Sequence, residues 1–292
     1  MVADPLYILA AEIWALRGER ARPARFAGLY VHGTIEALAG PTVAIVGTRA
    51  ASEQGRRIAW RFAAELGRAG VCVISGLALG IDTAAHAGSI SAGAATIGLL
   101  GGGHRRFFPP RNRELAAAMI AKGGAVISPF APDEPAYPAR FLQRNGVIAA
   151  LSDAVIVIEA AERSGALNTA AWAAASSIPV LAVPGDIDRT KVAGCHALIR
   201  DGATLARDHH DILEAIGVAA GERRPIQQTA LPLPVDSIAS RIAHSLREEP
   251  LSAEMLAERH SLSIGETLAA LAHLTFEGIA ELRSDGLYAL MA

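Results

Sequence analysis

The fold is decided by two stretches of the chain, VAIVGTRAASEQG (43–55) and VISGLALGIDTAAH (73–86). Each begins with a short apolar, β-branched run that is followed by a glycine turn and the start of a helical pattern. Four similar runs come later in the chain and alternate with helical patterns, namely AATIGLL, GAVIS, AVIVIEA and PVLAVPG. Because each run is almost continuously apolar, we expect strands that are covered on both faces. The sequence therefore predicts an α/β fold with a doubly wound, mostly parallel sheet.

The domain organisation follows from where this alternation begins and ends. We assign residues 41–220 to the α/β domain and residues 1–40 to a lead-in segment without an assigned function. The polar, proline-bearing stretch ERRPIQQTALPLP marks a linker at 221–235. Three short helical patterns and a hairpin around Ser284-Asp285-Gly286 then predict a small winged-helix domain at 236–292.

Composition narrows the cellular setting. The net charge of −2 gives no global attraction for a polyanion. The chain has no apolar run of about 18 residues, which a membrane span needs, and its start lacks the basic lead of a signal peptide. Two cysteines, one of them (Cys72) inside an apolar strand pattern, do not form a disulfide framework. We therefore expect a cytoplasmic protein without a membrane span.

Three glycine-rich corners predict an anion-binding site at one edge of the sheet. In open α/β sheets ligands bind beyond the carboxyl ends of the strands, where glycines and free helix N-terminal amides favour negative charge. Arg49 adds a planar fork for phosphate, whereas Gly47, Ser52 and Asp82 are assigned to turns and caps. The alternative is that these corners are only tight turns. The candidate binding residues of the corners are Arg49, Ser75, Gly76, Gly80, Ser164, Gly165, Asn168 and Thr169.

A second signal is the clustering of rings and positive charges. Five of the 14 aromatic residues lie within 107–141, and 105–144 holds seven basic against three acidic residues, a net charge of +4. Exposed bases of a single strand stack on rings while arginines contact its phosphates. The alternative places some rings in the core, as we expect for Phe107 and Phe130. Phe141 is the best stacking candidate. The basic candidates are Arg105, Arg106, Arg140 and Arg144.

The catalytic inventory is small. The chain has no lysine-bearing phosphate loop, and no set of nucleophile, base and orienting group can be assembled from spacing. The cluster Asp208-His209-His210-Asp211 is interpreted as a helix start rather than a metal site. Glu159 and Glu162 could support hydrolysis only with a sugar or phosphate ester beside them. We predict no catalytic residue, metal or cofactor.

With these residues in view, the chain resembles the DNA-processing protein A family (DprA/Smf) of natural transformation. The resemblance covers roughly residues 41–215 and is carried, in order, by VAIVGTR, SGLALGIDTAAH, FPPRNREL, FLQRN, ERSGALNTA, VAVPGDID and GCHALIRDGA. It implies an extended Rossmann-like fold with a terminal winged helix that binds single-stranded DNA without hydrolysing nucleotides. It also implies protection of incoming DNA, help in loading RecA recombinase, and a homodimer formed through the Rossmann-like domain.

The resemblance also assigns roles to individual residues. It implies that Arg49 holds phosphate and that Phe141 stacks on a base beside Arg144 and Asn145. Ser75, Gly76 and Gly80 would line the same pocket, and Ser164, Gly165 and Thr169 match the third glycine turn. Where the family commonly reads Arg-Asn-Arg, this chain reads Arg144-Asn145-Gly146. We therefore expect binding to be weaker or to rely more on Arg140.

Two other functions remain open at this point. The first is a nucleotide-cleaving enzyme like the related phosphoribohydrolases, although their Pro-Gly-Gly-x-Gly-Thr turn is lacking here. The second is a transcription regulator that reads duplex DNA with its winged helix. Residues 236–292 hold four basic and nine acidic residues, whereas residues 1–235 hold 23 basic and 20 acidic residues. This division assigns nucleic acid to the larger domain and a protein contact to the smaller one.

Overall fold

The computed structural model forms two compact units, Met1–Arg223 and Arg224–Ala292. The predicted linker lies outside the described residues. The structure describes residues 4–21, 26–219, 238–276, 279–283 and 285–290.

The larger unit alternates strands and helices along the chain. Its strands are β1 (Leu6–Leu9), β2 (Gly28–Gly33), β3 (Thr42–Val46), β4 (Cys72–Ser75), β5 (Thr96–Leu99), β6 (Ala125–Ser128), β7 (Ala154–Val157), β8 (Val180–Ala182) and β9 (Thr204–Leu205). Its helices are α1 (Ala10–Arg17), α2 (Glu53–Arg68), α3 (Ile81–Ser91), α4 (Arg113–Ala121), α5 (Pro138–Ala150), α6 (Gly165–Ala174), α7 (Ala193–Arg200) and α8 (His209–Ala215).

The strands form one sheet in the order β1-β2-β6-β5-β4-β3-β7-β8-β9. Neighbours from β6 to β9 are parallel, and β2 pairs antiparallel with both β1 and β6. The predicted fold class, an α/β protein with a mostly parallel sheet, is confirmed. From β3 the chain moves outward through β4, β5 and β6, and then returns to the other side of β3 at β7. The junction of β3 and β7 is therefore the topological switch point, where open α/β sheets bind ligands.

Helices cover both faces of the sheet. Phe62 and Leu66 of α2 share one buried cluster with Val43 and Ile45 of β3. The opposite face buries Ala44 of β3 in a cluster to which α5 and α6 contribute. Burial on both faces explains why the parallel strands are continuously apolar in sequence.

Residues 1–40 do more than lead into the domain. They supply β1, α1 and β2, which extend the sheet beyond β6. Arg17 of α1 is 2% exposed; its Nη2 lies 2.7 Å from Asp153 Oδ1, and its Nη1 donates to the Leu38 carbonyl and to Thr42 Oγ1. A buried guanidinium with this set of partners fixes the segment to the edge of the sheet.

The smaller unit has its own core. It contains the helices α9 (Ile238–Glu248), α10 (Ala253–His260) and α11 (Ile264–Phe276) and the antiparallel pair β10 (Ala280–Leu282) and β11 (Tyr288–Leu290). Leu246, Leu256 and Leu271 are buried between these elements. Three helices followed by a hairpin form the element order of a winged helix. None of the helices in the described ranges is both long and apolar enough to cross a membrane.

Candidate nucleic-acid interface

A cleft of about 480 Å³ opens at the switch point. The turn after β3, helix α5 and the start of α6 form its walls. Its lining includes seven of the predicted binding residues, Arg49, Phe141, Arg144, Asn145, Ser164, Gly165 and Thr169. Side chains that are up to 120 positions apart in sequence therefore meet in one concave site.

Two guanidinium groups flank the ring of Phe141. The Cζ atom of Arg49 lies 4.9 Å from the ring centroid and that of Arg144 lies 5.6 Å from it. Phe108 meets the same ring edge-on at 6.2 Å. A side chain at Gly101 would come within 2.5 Å of the Phe141 ring, so the glycine permits this ring position. One partly exposed ring with two positive charges provides both contacts that a nucleotide needs.

Arg144 is buried by the course of α5. Pro138 occupies the first turn of this helix, and the segment from Arg144 to Ala150 turns inward and is buried. The Arg144 side chain reaches the turn after β4, where its guanidinium packs against Gly76 so closely that a methyl group there would overlap Nη1. This close approach gives Gly76 its role: it makes room for the cation.

The guanidinium of Arg144 interacts electrostatically with Asp82 but forms no ion pair of 4 Å or less with any residue that the structure describes. The residue is 4% exposed, and its Nε has no hydrogen-bond partner within the described ranges. The salt bridges of buried carboxylates in this part of the chain involve other arginines. Burial lowers the pKa of Arg144 to about 10; Asp82 opposes this shift and the positive charge of Arg49 adds to it. The cleft therefore contains a desolvated positive charge that an anion can stabilise.

Asp82 holds the turn below the cleft. Its Oδ2 accepts hydrogen bonds from the amides of Gly76 and Ala78, at 3.1 and 3.3 Å. Burial raises the pKa of this carboxyl group, while Arg144 and the amide donors oppose the shift. The predicted turn-stabilising role describes these contacts well.

Asn145 links the wall formed by α5 to the start of α6. Its Nδ2 donates to the Gly165 carbonyl at 3.1 Å and to Asn168 Oδ1 at 3.4 Å. Ser164 caps α6, since its Oγ accepts from the Ala166 amide. Asn168 thus supports the wall and does not itself line the cleft.

The corner that carries Arg49 is fixed by a buried carboxylate. Glu159 accepts hydrogen bonds from the amide and hydroxyl of Ser52 at 2.9 and 2.5 Å, and Arg189 Nη2 lies 2.7 Å from it. The Glu159 carbonyl also accepts from the Thr48 amide at 2.7 Å. Glu159 therefore holds the turn and lies outside the cleft lining. The hydrolytic alternative needs a free carboxylate inside the cleft, and Glu159 does not provide one. Sequence reasoning missed Arg189, because its distance along the chain gives no sign of this contact.

Gly80 completes the same corner. It precedes α3 with a φ of +86°, a conformation that favours glycine. A side chain here would also overlap the Thr48 carbonyl. Gly80 thus allows the turns after β3 and β4 to pack together.

Besides Gly76, Gly80 and Asn168, four more of the predicted binding residues lie outside the cleft lining. Ser75 is fully buried, and its hydroxyl donates to the Ile45 carbonyl at 2.6 Å. Arg105 forms ion pairs with Asp4 and Asp133 beside a separate groove. Arg106 and Arg140 also lie outside the lining.

The expectation that Arg140 compensates for the missing family arginine is corrected by its contacts. Its guanidinium pairs with Glu134 and lies over the rings of Phe130 and Tyr137, at 4.8 and 4.6 Å. Gly146 stands where the family commonly has the second arginine of Arg-Asn-Arg, and it is buried against Trp172. Arg140 is therefore committed to local packing.

The cluster Asp208-His209-His210-Asp211 forms the start of α8, and Asp208 is its cap. Asp208 accepts hydrogen bonds from the amides of His210 and Asp211. No group of three or more metal-ligating side chains is found among the residues for which the structure gives positions.

The fold and the cleft define a class: a Rossmann-like α/β protein with a positively charged, aromatic cleft at its switch point. Residues 19–217 match the family model of DNA recombination-mediator protein A. The chain belongs to this family, and the resemblance inferred from sequence is confirmed.

Named relatives cover most of the chain. A putative DNA processing protein DprA of Mycobacterium tuberculosis is 35% identical over 99% of this chain and 75% of its own length. Protein Smf of Escherichia coli is 35% identical over 86% of this chain and 68% of its own length.

Two solved structures share the fold. DprA from Streptococcus pneumoniae matches with a TM-score of 0.65 and 34% identity, over 72% of this chain and 74% of that one. A Helicobacter pylori structure, described as showing a unique single-stranded DNA binding mode, matches with a TM-score of 0.61 and 25% identity, over 73% and 94% of the two chains.

Proposed function

We propose that this protein binds single-stranded DNA in the switch-point cleft during DNA processing in transformation and recombination. A phosphate lies between Arg49 and Arg144, and an unpaired base stacks on Phe141. The observation that carries this proposal is the buried guanidinium of Arg144, whose Nε has no hydrogen-bond partner in the described ranges and which shares the Phe141 ring with Arg49. Such a group is costly in the free protein and is stabilised when an anion binds.

The shape of the cleft favours a single strand over a duplex. Its volume of about 480 Å³ is within the range of small-ligand sites, so it suits individual nucleotides. A base can stack on Phe141 only when it is free of its complementary partner. Glycine turns and helix starts around the ring contribute amides, which bind the backbone without reading sequence.

The relatives support the same reading. The Helicobacter pylori protein of this fold binds single-stranded DNA, and the curated relatives are DNA processing proteins. Protection of incoming DNA, loading of a RecA-type recombinase, a homodimer and a cytoplasmic location belong to the proposal. The test of loading is whether the protein speeds strand exchange by a recombinase on DNA already coated with single-strand-binding protein.

The binding proposal is tested by fluorescence anisotropy with labelled deoxythymidine oligomers and the full chain. Arg49→Gln and Phe141→Leu should each weaken binding, by about 1–3 kcal/mol for the loss of stacking in the second case. Arg49→Gln should also lower the slope of log affinity against log salt by about 0.7, as expected for one lost phosphate contact.

Arg200→Gln is the matched control, because Arg200 is exposed and pairs only with its neighbour Asp201 among the described residues. Unchanged affinity in both cleft variants would refute the proposal. Release of free base from nucleoside monophosphates by the parent protein would instead support the enzyme alternative.

A further inference from the structure

Helix α2 has a solvent-exposed tryptophan, Trp60, on its outer face. Trp60 is 43% exposed, whereas Trp14 and Trp172 are more buried. On the inner face of the same helix, Phe62 and Leu66 are buried in the core, so the core does not require the indole ring. The indole ring of tryptophan is large and rigid and stacks strongly on other flat rings. Because Trp60 is exposed, its ring is accessible to a ligand.

Three exposed arginines lie close to Trp60 along α2, and the Cζ atom of one of them, Arg61, is 5.6 Å from the ring centroid of Phe62. Arg56 and Arg57 precede Trp60 by one helical turn, and Arg61 follows it directly. Arg57 pairs with Glu53 at 2.9 Å, but both side chains are at least 70% exposed, and such pairs contribute little. No ion pair engages Arg56 or Arg61 within the described part of the chain. These four side chains line a groove of about 670 Å³ together with Glu53, Gln54, Ile58 and Ala84, so three arginines in the described lining face one carboxylate.

We propose that this groove, the Trp60 groove, binds a second stretch of the single strand held in the cleft. A base stacks on the indole ring, and Arg56 and Arg61 contact the flanking phosphates. This inference rests on the proposed function. The groove resembles the cleft chemically, because both combine an aromatic ring with guanidinium groups. Its excess of positive charge attracts the phosphates of a polyanion.

The course of the chain places the two sites near each other. Helix α2 begins at Glu53, four residues after Arg49, and rises by about 1.5 Å per residue. Trp60 therefore lies about 10 Å along the helix from its first residue. A strand that leaves the phosphate site over the N-terminus of α2 reaches the Trp60 groove within a few nucleotides.

Oligomer length separates the two sites in an experiment. Anisotropy is measured with the full chain and with deoxythymidine oligomers of about 5 and about 16 nucleotides, which span the usual range of single-strand site sizes. Trp60→Ala should weaken binding of the longer oligomer by roughly 5- to 150-fold, the equivalent of one lost stacking contact. It should leave the shorter oligomer unaffected, and Trp60→Phe should restore part of the loss.

The arginines give an independent readout. The double variant Arg56→Gln, Arg61→Gln should lower the salt slope by about 1.4 for the longer oligomer only, as expected for two phosphate contacts. Arg68→Gln is the matched control on the same helix, since Arg68 lies outside the groove and pairs with Glu65 at 2.7 Å.

Each outcome has a distinct meaning. If the Trp60 and arginine variants bind the longer oligomer as tightly as the parent, the inference is wrong while the cleft proposal stands. Sedimentation measures the mass of the protein in solution. If Trp60→Ala changes that mass but does not change the affinity for either oligomer, the groove is a protein–protein contact and the inference is also wrong. If the parent binds neither oligomer, the proposed function itself fails.

Discussion

Arg144→Met removes the guanidinium from the cleft but keeps an unbranched stem that fills most of the same space. Burial lowers the pKa of Arg144 from its ordinary value to about 10, and this shift corresponds to about 3 kcal/mol against the charged form in the folded protein. Because pH 7 lies below both values, the arginine is charged in the folded and unfolded states, and the cost is fully present. Methionine has no such cost. We therefore expect the free energy of unfolding of the DNA-free variant to stay the same or to rise.

DNA binding should change in the opposite direction. A hydrogen bond to a charged group is worth about 1.5–3 kcal/mol, so the affinity for a deoxythymidine oligomer should fall by roughly 10- to 150-fold. The salt slope should fall by about 0.7. Anisotropy at three salt concentrations measures the affinity and the slope, and urea unfolding without DNA measures the stability.

Arg17→Met is the informative comparison, because Arg17 is the other deeply buried arginine described in the larger unit. Its guanidinium pairs with Asp153, so the variant leaves a buried carboxylate without its main partner and should lose about 3 kcal/mol of stability. Its folded fraction should bind DNA normally. If Arg144→Met behaves like Arg17→Met, with lower stability and unchanged affinity, then Arg144 is structural and the reasoning on the cleft is refuted.

Three further predictions follow from the same contacts. Gly76→Ala should weaken DNA binding because its methyl group displaces the packed guanidinium, whereas Gly40→Ala, with neighbours no nearer than 3.8 Å, should not; equal affinities would contradict this packing. Burial lowers the pKa of His86 from 6.5 to about 3, so its stabilising contribution is complete above pH 6.5 and falls with pH towards 3, by up to about 1.4 kcal/mol per pH unit. Urea unfolding at stepped pH should show a flatter profile for His86→Leu, and an unchanged profile would count against this burial. Arg189→Leu should lower DNA affinity without changing the salt slope, because Arg189 holds the turn before α2 and does not contact phosphate. Arg200→Leu is the control and should change neither quantity. A lower salt slope for Arg189→Leu would indicate a direct phosphate contact.

The sheet could be predicted because its strands carry their environment in their sequence. Each central strand is covered on both faces, so it is apolar throughout, and β3 and β4 each end in a glycine turn at the same edge. Phe141 could be predicted because it lies in ARFLQRNG with an arginine on either side, Arg140 and Arg144. The contribution of residues 1–40 could not, since β1 is largely exposed and is held in place by pairing with β2 and by the contact of Arg17 with Asp153, 136 positions away.

Charge density along the chain is a weaker guide, because it ignores long-range partners. Arg105 belongs to the basic cluster in sequence, yet it pairs with Asp4, which is 101 positions away. Arg140 is neutralised by Glu134 and covers two rings. Arg144, a few residues further on, is buried and forms no ion pair with any residue that the structure describes, because α5 carries it to the turn that contains Gly76. Arginines that look alike in the sequence thus differ in the folded protein in how far their charge is neutralised and how deeply it is buried.

Topology accounts for the position of the cleft before any side chain is considered. The turn after β3, the helix that leads into β7 and the turn after β7 must meet where the order of strands reverses, because the chain crosses from one half of the sheet to the other there. Any protein of this topology has a crevice at that point. The composition of these segments then decides what the crevice binds. Glycines keep it open, Phe141 offers a surface for one base, and Arg49 and Arg144 outnumber Asp82, the one carboxylate among the described residues of the lining. Exchanging either arginine for a neutral side chain should therefore leave the crevice in place and remove its affinity for an anionic backbone.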